Sequence, residues 1–315
     1  MIMRKLPLLI LFTFLLPGLQ AQVDFDSGNN EWFKNYGLPN VRIYTSYKEA
    51  LAGGKNVIKM DLREDNVCKQ IKKINKVPAV QLVQMISCDV KQLPAEMGAL
   101  RDLFIFVSKQ NPISYISPEI AGCSNLMYLE LCDTRLDSLP REMQYLPSLE
   151  LFRLIGNQSS DTLRINDSLK RMPRLRSVQF TNTDLYKFPG FILRSKKLES
   201  IILSSCRIDS LPEEIIYLEA LKELNMEGNR LTGLPSKLTK MKNLEVLSLK
   251  NNQLTTISEF IAYLPKLRVL DISENQIPLE ELDILRVIFK RKGQLISDYE
   301  KLMQIEDEKR KNQPK

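Results

Sequence analysis

One arrangement of residues, L-x-x-L-x-L-x-x-N-x-L, recurs along this chain at a spacing of 23 residues, and it constrains the fold more than any other feature. Two successive copies begin at Leu221 and Leu244. Each copy supplies one short strand and a return segment, and a single copy cannot bury its apolar edge. The copies must therefore stack against one another as a solenoid.

The same pattern extends in both directions from these two copies and defines ten units. Their first positions are Val57, Val80, Leu103, Leu126, Leu149, Leu175, Leu198, Leu221, Leu244 and Leu267. Every step is 23 residues except the step from Leu149 to Leu175, which is 26, so three extra residues follow Asn157. The pattern predicts one solenoid domain over residues 57–277 that bulges at this insertion.

A solenoid exposes its core at both ends unless other elements cap it. Ser46 and Glu49 form a capping-box pattern, which predicts a helix in an N-terminal segment and capping helix at residues 22–56. Pro278 is typical of a helix start and predicts a helical C-terminal cap over 278–298, before a charged tail at 299–315.

The first residues have the order expected of an export signal. Arg4 and Lys5 precede an apolar stretch over 6–16, and the small residue Ala21 follows. This order predicts a secretory signal peptide at 1–21, because the apolar stretch is shorter than the roughly 20 residues of a membrane-spanning helix. We therefore expect an exported protein, periplasmic or extracellular, with no membrane span.

The units, extended as L-x-x-L-x-L-x-x-N-x-L-x-x-L-P-x-x-I, resemble leucine-rich repeats of the Ras-group type, in an exported bacterial protein. This resemblance implies an α/β solenoid shaped as a curved horseshoe, with a parallel sheet on the concave side and short helices on the convex side. It further implies a non-catalytic module that binds a protein or peptide on its concave sheet.

Positions 3, 5 and 7 of each unit should point away from the core, because side chains alternate along a strand. Eight of twelve such positions are apolar or aromatic in the four units from Val80 to Leu149, against three of fifteen in the later units. This asymmetry predicts a docking patch, with Tyr128 and Arg153 as anchors. The predicted partner-binding residues are Leu82, Ile86, Ile105, Val107, Tyr128, Leu151, Arg153 and Ile155.

A cluster of basic residues on the return segments supports an alternative reading, in which an anionic glycan or lipid binds the convex side. The cluster comprises Lys170, Arg171, Arg174, Arg194, Lys196 and Lys197. The full chain carries 45 Lys and Arg against 38 Asp and Glu, a modest excess that a solvated outer face also explains. A nucleic-acid partner is not expected for an exported chain.

Catalysis and cofactor binding are not expected from this composition. The chain has no histidine, so it lacks the usual general base and the commonest zinc ligand. No motif predicts a metal or cofactor. Its five cysteines are an odd number, and Cys88 and Cys206 occupy Asn positions of the repeat five units apart. That separation, roughly 24 Å at strand spacing, predicts structural thiols rather than a disulfide between them.

Overall fold

A computed structural model describes residues 41–64, 66–159, 161–165 and 169–311. The predicted signal peptide at 1–21 and the residues 22–40 that follow it lie outside the described part of the chain. The predicted cap boundaries and repeat boundaries are considered below only where described residues carry them.

Sixteen strands follow one another in the described chain. In chain order they are β1 (Ile43–Tyr44), β2 (Lys59–Arg63), β3 (Leu82–Ile86), β4 (Gln92–Leu93), β5 (Ile105–Lys109), β6 (Tyr115–Ile116), β7 (Tyr128–Cys132), β8 (Ser138–Leu139), β9 (Leu151–Asn157), β10 (Arg164–Ile165), β11 (Ser177–Thr183), β12 (Ser200–Ser204), β13 (Glu223–Asn225), β14 (Val246–Ser248), β15 (Val269–Asp271) and β16 (Gln294–Ile296).

Twelve of these strands form one parallel sheet in the order β1-β2-β3-β5-β7-β9-β11-β12-β13-β14-β15-β16. Each repeat unit adds one strand, two residues after its first position. The register continues across the 26-residue step, where Ser177 pairs with Leu151. The predicted α/β leucine-rich repeat solenoid is confirmed. Two short parallel pairs, β4 with β6 and β8 with β10, lie on the return path.

The return segments are mostly 3-10 helices, tighter than the helices that the repeat pattern implied. Their bounds are Gly54–Asn56, Asn66–Lys76, Ala95–Ala99, Pro118–Gly122, Arg141–Tyr145, Glu213–Tyr217, Leu238–Lys240 and Glu259–Tyr263. Glycine allows two of them to stack closely, because a Cβ on Gly122 would lie 2.3 Å from the carbonyl oxygen of Gly98.

The hydrophobic core lies between the sheet and the return segments. All ten first positions of the units are at most 1% exposed, as are the inward strand residues such as Phe106, Phe152 and Phe180. Phe152 and Phe180 meet edge to face, with ring centroids 5.3 Å apart. The largest cluster of buried side chains runs from Tyr47 to Phe289, so one continuous core joins the units.

The buried asparagines satisfy backbone groups where each strand turns away from the sheet. The side-chain oxygen of Asn111 accepts hydrogen bonds from the backbone nitrogens of Cys88 (2.9 Å) and Val90 (3.2 Å), and its amide donates to the carbonyl of Met85 (3.2 Å). Asn229 repeats this geometry one hundred and eighteen residues later. These residues are structural, because every polar group they carry is used within the turn.

Two cysteines take the place of this asparagine. The Cys88 thiol lies 3.6 Å from the carbonyl oxygen of Leu62, and the Cys206 thiol lies 3.3 Å from that of Phe180, so each contacts the preceding unit. The four cysteines whose side chains are described are buried. The side chain of Cys68 lies outside the described part.

The described residues also form four α-helices: α1 (Tyr47–Gly53), α2 (Gly190–Arg194), α3 (Leu279–Phe289) and α4 (Tyr299–Lys311). The Ser46 hydroxyl accepts from the backbone nitrogen of Glu49 at the start of α1. Helix α4 occupies most of the stretch predicted as a charged tail, and the Arg286 guanidinium lies 4.6 Å from the Tyr299 ring at its start. Within the described ranges, no helix has the length and apolar character needed to cross a membrane.

Candidate binding surface

The outward side chains of the sheet form three parallel rows on the concave face, because the strands pair in register. In the four units from Val80 to Leu149, the rows hold Leu82, Ile105, Tyr128 and Leu151; Gln84, Val107, Glu130 and Arg153; and Ile86, Lys109, Cys132 and Ile155. We call these twelve side chains the N-terminal concave face. The first row is entirely apolar or aromatic.

The N-terminal concave face is largely buried. Leu82, Ile105, Val107, Tyr128 and Leu151 form a second hydrophobic cluster that is separate from the core, and each is at most 4% exposed. Ile43 and Phe104 pack against this cluster. The face of the sheet opposite the core therefore carries a small core of its own.

A buried carboxylate, Glu130, lies at the centre of this face and is 1% exposed. The Arg153 guanidinium donates to its Oε2 at 2.9 Å, and the Lys109 ammonium lies 3.6 Å from its Oε1. The Tyr128 hydroxyl and the Cys132 thiol also donate to the carboxylate. These five residues, here named the Glu130 network, hold two cations against one carboxylate in surroundings where each charge needs a partner.

Burial sets the protonation of the two neutral donors in this network. Burial, and then the charge of Glu130, raises the pKa of Tyr128 well above its usual range. The same two causes raise the pKa of the Cys132 thiol. Cys132 is therefore a thiol at neutral pH and not a reactive thiolate, so the network is suited to binding and not to nucleophilic catalysis.

Arg153 connects the Glu130 network to the following unit. Its Nε donates to the side-chain oxygen of Gln179 at 2.9 Å, and its Nη1 lies 3.3 Å from the Tyr128 hydroxyl. The guanidinium is thus held in place on both sides, although its side chain remains 18% exposed. A cation fixed in this way is pre-organised for a carboxylate or carbonyl oxygen of a ligand.

The later units present a different surface at the same template positions. All fifteen outward side chains from Ser177 to Ser273 are half-buried. They include Val246 and Val269, which match the buried Val107 in residue type. The Lys250 ammonium lies 3.6 Å from a carboxylate oxygen of Glu227 and 3.4 Å from one of Glu274. We call these fifteen side chains the C-terminal concave face.

Lys59 shows how completely the N-terminal concave face is shielded. It precedes this face on β2, pairs in register with Ile43 and Leu82, and is 0% exposed. Burial lowers the pKa of its ammonium. Long cationic side chains on an open sheet normally extend their charged end into water.

The predicted partner-binding residues therefore lie together, but their exposure differs from the sequence-based expectation. Leu82, Ile105, Val107, Tyr128 and Leu151 are buried, whereas Ile86, Arg153 and Ile155 are half-buried at the margin. Sequence reasoning expected an open patch because a repeat template states which way a side chain points and not what lies above it. Their role in binding a partner stays a prediction.

Sequence reasoning did not single out Lys59, Lys109 or Glu130. These residues occupy outward positions of β2, β5 and β7, respectively. The available signal was the register-matched pair of Glu130 and Arg153 on neighbouring strands. Opposite charges at register-matched strand positions indicate an ion pair.

The predicted basic patch lies on two neighbouring return segments. All six members are exposed: Lys170, Arg171, Arg174, Arg194, Lys196 and Lys197. Arg194 ends helix α2, and the Lys196 ammonium lies 5.8 Å from the ring of Tyr217 and 3.3 Å from its carbonyl oxygen. Within the part of the chain that the structure describes, none of the six forms an ion pair with a carboxylate.

The structure offers no candidate metal centre among its described residues. No group of three or more His, Cys, Asp or Glu side chains there could hold a metal ion. The surface with the most buried polar chemistry is the Glu130 network, and its carboxylate is already engaged by two cations and two neutral donors.

Comparison with a family model identifies the leucine-rich repeat in residues 227–277, within the C-terminal units. A comparison with curated protein sequences found no significant match. The family model therefore matches only residues within the last three units.

Three solved structures are similar in fold. The plant peptide hormone receptor RGFR1, solved with RGF2, is 23% identical over 76% of this chain, with a TM-score of 0.58. Toll from Drosophila, solved with Spatzle, is 22% identical over 73%, with a TM-score of 0.63. TLR13, solved with ssRNA13, is 19% identical over 81%, with a TM-score of 0.65. This chain spans only 39%, 32% and 38% of those three chains.

Proposed function

Because this chain is a leucine-rich repeat protein, we propose that it is a non-catalytic interaction module that binds a protein or peptide on the N-terminal concave face. The proposal places the partner between Ile86 and Ile155, over the Glu130 network. The chain would act after export, outside the cytoplasm.

The observation that carries this proposal is the composition of the N-terminal concave face. It combines an apolar row with a fixed, partly exposed guanidinium, Arg153, and a half-buried apolar margin. Buried aromatic and Arg side chains surrounded by apolar contacts are typical of the centres of protein interfaces. The C-terminal concave face lacks such a cluster among its fifteen outward positions.

The proteins of similar fold support a binding role but not a single ligand class. Two of them were solved with a peptide hormone or a protein, and one was solved with single-stranded RNA. The choice of a protein or peptide here rests on the half-buried apolar margin formed by Ile86 and Ile155. A nucleic acid would instead require a continuous track of cations for its phosphates.

Capture by the intact protein and by margin variants would test this proposal. Ile86→Glu and Ile155→Glu place charge on the half-buried margin without cutting into the core. Material secreted around the producing cells is passed over each immobilised protein, and the retained proteins are identified by mass spectrometry. We expect at least one protein to be retained by the unmodified chain and lost from both variants.

A matched control variant separates a local effect from a general one. Ser204→Glu changes position 7 of a later unit, the same template position as Ile155. It should retain every partner that the unmodified chain retains. If Ile155→Glu loses no partner, or if Ser204→Glu loses the same ones, the concave site is wrong.

Export is a separate part of the proposal and has its own test. The motivating observation is the basic, apolar and small-residue order of residues 1–21. Mass spectrometry of the secreted protein should find a mature start near Gln22. Intact Met1 on protein recovered only from inside the cell would contradict export.

The exposed basic patch supports a second candidate function, the binding of an anionic glycan or lipid. Its six cations lie close together on the return side and form no ion pair among the described residues. Retention on heparin that falls steeply with salt would support it. Reversing Lys170, Arg171, Arg194 and Lys197 to Glu should abolish that retention and leave capture at the concave margin unchanged.

A further inference from the structure

One template position on the return segments carries large side chains in six successive units. The position lies four residues before the first position of each unit, beginning with the unit of Leu149 and ending with that of Leu267. Its occupants are Tyr145, Arg171, Arg194, Tyr217, Lys240 and Tyr263. All six side chains are exposed. We call these six residues the return-side row.

The fold does not require large side chains at this position. The two preceding units place Ala99 and Gly122 there, in return segments of the same 3-10 form. Tyr145, Tyr217 and Tyr263 are 66%, 60% and 63% exposed, so their rings contribute little to the core. Exposed aromatic rings that the core does not use are typical of a binding surface.

The return segments around this row are strongly basic. Nine cations and one acid, Glu219, occupy the five residues before the first position of these units, which are 144–148, 170–174, 193–197, 216–220, 239–243 and 262–266. The cations are Lys170, Arg171, Arg174, Arg194, Lys196, Lys197, Lys240, Lys242 and Lys266. All nine are exposed, and none forms an ion pair with a carboxylate among the residues that the structure describes. This surface therefore attracts an anionic ligand.

Aromatic rings and cations lie side by side along the row. The Lys196 ammonium lies 5.8 Å from the centroid of the Tyr217 ring and donates to the Tyr217 carbonyl oxygen at 3.3 Å. At the C-terminal end, the ring centroids of Phe260 and Tyr263 are 6.4 Å apart. An aromatic face packs against the apolar face of a sugar ring, and a neighbouring ammonium pairs with a carboxylate or sulfate. The row therefore offers both contacts that an acidic sugar chain requires.

The distribution of charge along the row favours a polysaccharide over a nucleic acid or a membrane. A nucleic acid carries a phosphate on every residue and requires cations throughout its track. Residues 144–148 and 216–220 carry no cation, and present Tyr145 and Tyr217 instead. A membrane surface requires a broad apolar face, whereas the tyrosines of the row are two or three units apart. A chain in which uncharged sugars separate charged ones matches this alternation.

We propose that an anionic polysaccharide binds along the return-side row, with uncharged sugars on the tyrosine rings and carboxylates or sulfates on the cations between them. This inference rests on the second candidate function above and deepens it. It selects a glycan rather than a lipid, and it extends the site beyond the basic patch to Tyr145, Tyr217, Lys240 and Tyr263.

Heparin binding by the full chain, measured by calorimetry, tests the role of the rings. Replacing Tyr145, Tyr217 and Tyr263 together with Ala should weaken binding by about tenfold, whereas replacing them with Phe should change it by less than about twofold, because Phe keeps the aromatic face. The control Tyr115→Ala removes a ring that is 50% exposed but lies outside the row, and it should bind like the unmodified chain. Circular dichroism checks the fold of each variant. Equal binding by the Ala and Phe variants would overturn the proposal.

Salt and competing ligands identify the occupant. The loss caused by the Ala variant should persist as salt rises, because ring contacts are not screened, whereas the contribution of the cations should fall. The unmodified chain should bind heparin more tightly than oligothymidylate or vesicles of phosphatidylglycerol and phosphatidylcholine. Tighter binding of either competitor would overturn the choice of a polysaccharide.

The outcomes also separate this inference from the second candidate function. Heparin binding that is unchanged in the Ala variant but lost on reversing Lys170, Arg171, Arg194 and Lys197 contradicts the return-side row and leaves the basic patch in place. Absence of heparin binding by the unmodified chain contradicts both. Loss of binding in both sets of variants supports both.

Discussion

The N-terminal and C-terminal concave faces share one sheet and one template but present different chemistry. Nine of twelve outward side chains are buried on the first, and all fifteen are half-buried on the second. On the first, Glu130 bonds to Arg153 in dry surroundings, whereas on the second Lys250 lies between two partly exposed carboxylates. The same backbone thus carries one outward surface that is largely buried and one that is partly exposed to solvent.

The inward packing of the units is the same under both faces. The inward leucines and turn asparagines recur in both halves, because every unit must pack on its neighbours. The outward positions lie outside that core. They can therefore concentrate apolar and charged groups in four units, where they form contacts of their own.

Removal of the buried carboxylate should produce the largest difference between the two faces in the free energy of unfolding. Glu130→Gln removes the buried carboxylate that Arg153 and Lys109 both contact. We expect a loss of about 3 to 5 kcal/mol in the free energy of unfolding. Urea denaturation would measure it.

The matched change on the open face is Glu227→Gln, which removes one of two carboxylates near Lys250. Its cost should be below about 1 kcal/mol, because both partners are solvated. Equal losses in the free energy of unfolding for Glu130→Gln and Glu227→Gln would contradict the distinction between a buried and a solvent-exposed face.

A smaller contrast is expected from one valine on each face. Val107→Ala removes two methyl groups from a buried cluster and should cost about 2 kcal/mol, whereas Val246→Ala at a half-buried position should cost less than about 1 kcal/mol. Thermal and urea unfolding would compare them. Identical costs would indicate that Val107 is as accessible as Val246.

The tyrosine hydroxyl of the Glu130 network offers a finer test. Tyr128→Phe removes one donor to the carboxylate but keeps the ring on the apolar row, so the expected cost is about 1 to 2 kcal/mol of stability. An unfolding midpoint unchanged by Tyr128→Phe would contradict a stabilising role for this hydroxyl.

Salt should produce the smallest effect and should act on one face only. A double-mutant cycle between Lys250 and Glu274 should give a small coupling energy that falls as salt rises. The coupling between Arg153 and Glu130 should persist under the same conditions because the pair is buried. A similar salt dependence of both coupling energies would indicate that the Glu130 network is exposed to solvent.

The fold was predictable from the sequence because each unit must bury the same inward apolar positions against its neighbours. The spacing placed Leu103, Leu126 and Leu149 in the core, and each is 0% exposed. Asn111 and Asn229 were expected at turns and make the bonds that this requires. The 3-10 form of the return segments was not expected, because their packing sets it and the repeat pattern does not.

The sequence predicted which side chains of the candidate surface point outward, but it did not predict how deeply they are buried. The template identified Ile105, Val107 and Tyr128 as outward residues, and they lie on the concave side in one cluster. The template could not predict how deeply these side chains are buried, since burial depends on contacts that the repeat pattern does not specify. The role of Glu130 was equally hidden, because its partners come from neighbouring units and emerge only once the strands are in register.

Thiol labelling at one template position on each face tests the central claim most directly. Val107→Cys and Ser248→Cys both occupy position 5 of their units, and a charged thiol reagent reports the accessibility of each in the native protein. Labelling of Ser248→Cys should be faster by about tenfold or more, because a buried thiol reacts only after local opening. Equal labelling rates in two folded variants would contradict a sealed N-terminal concave face.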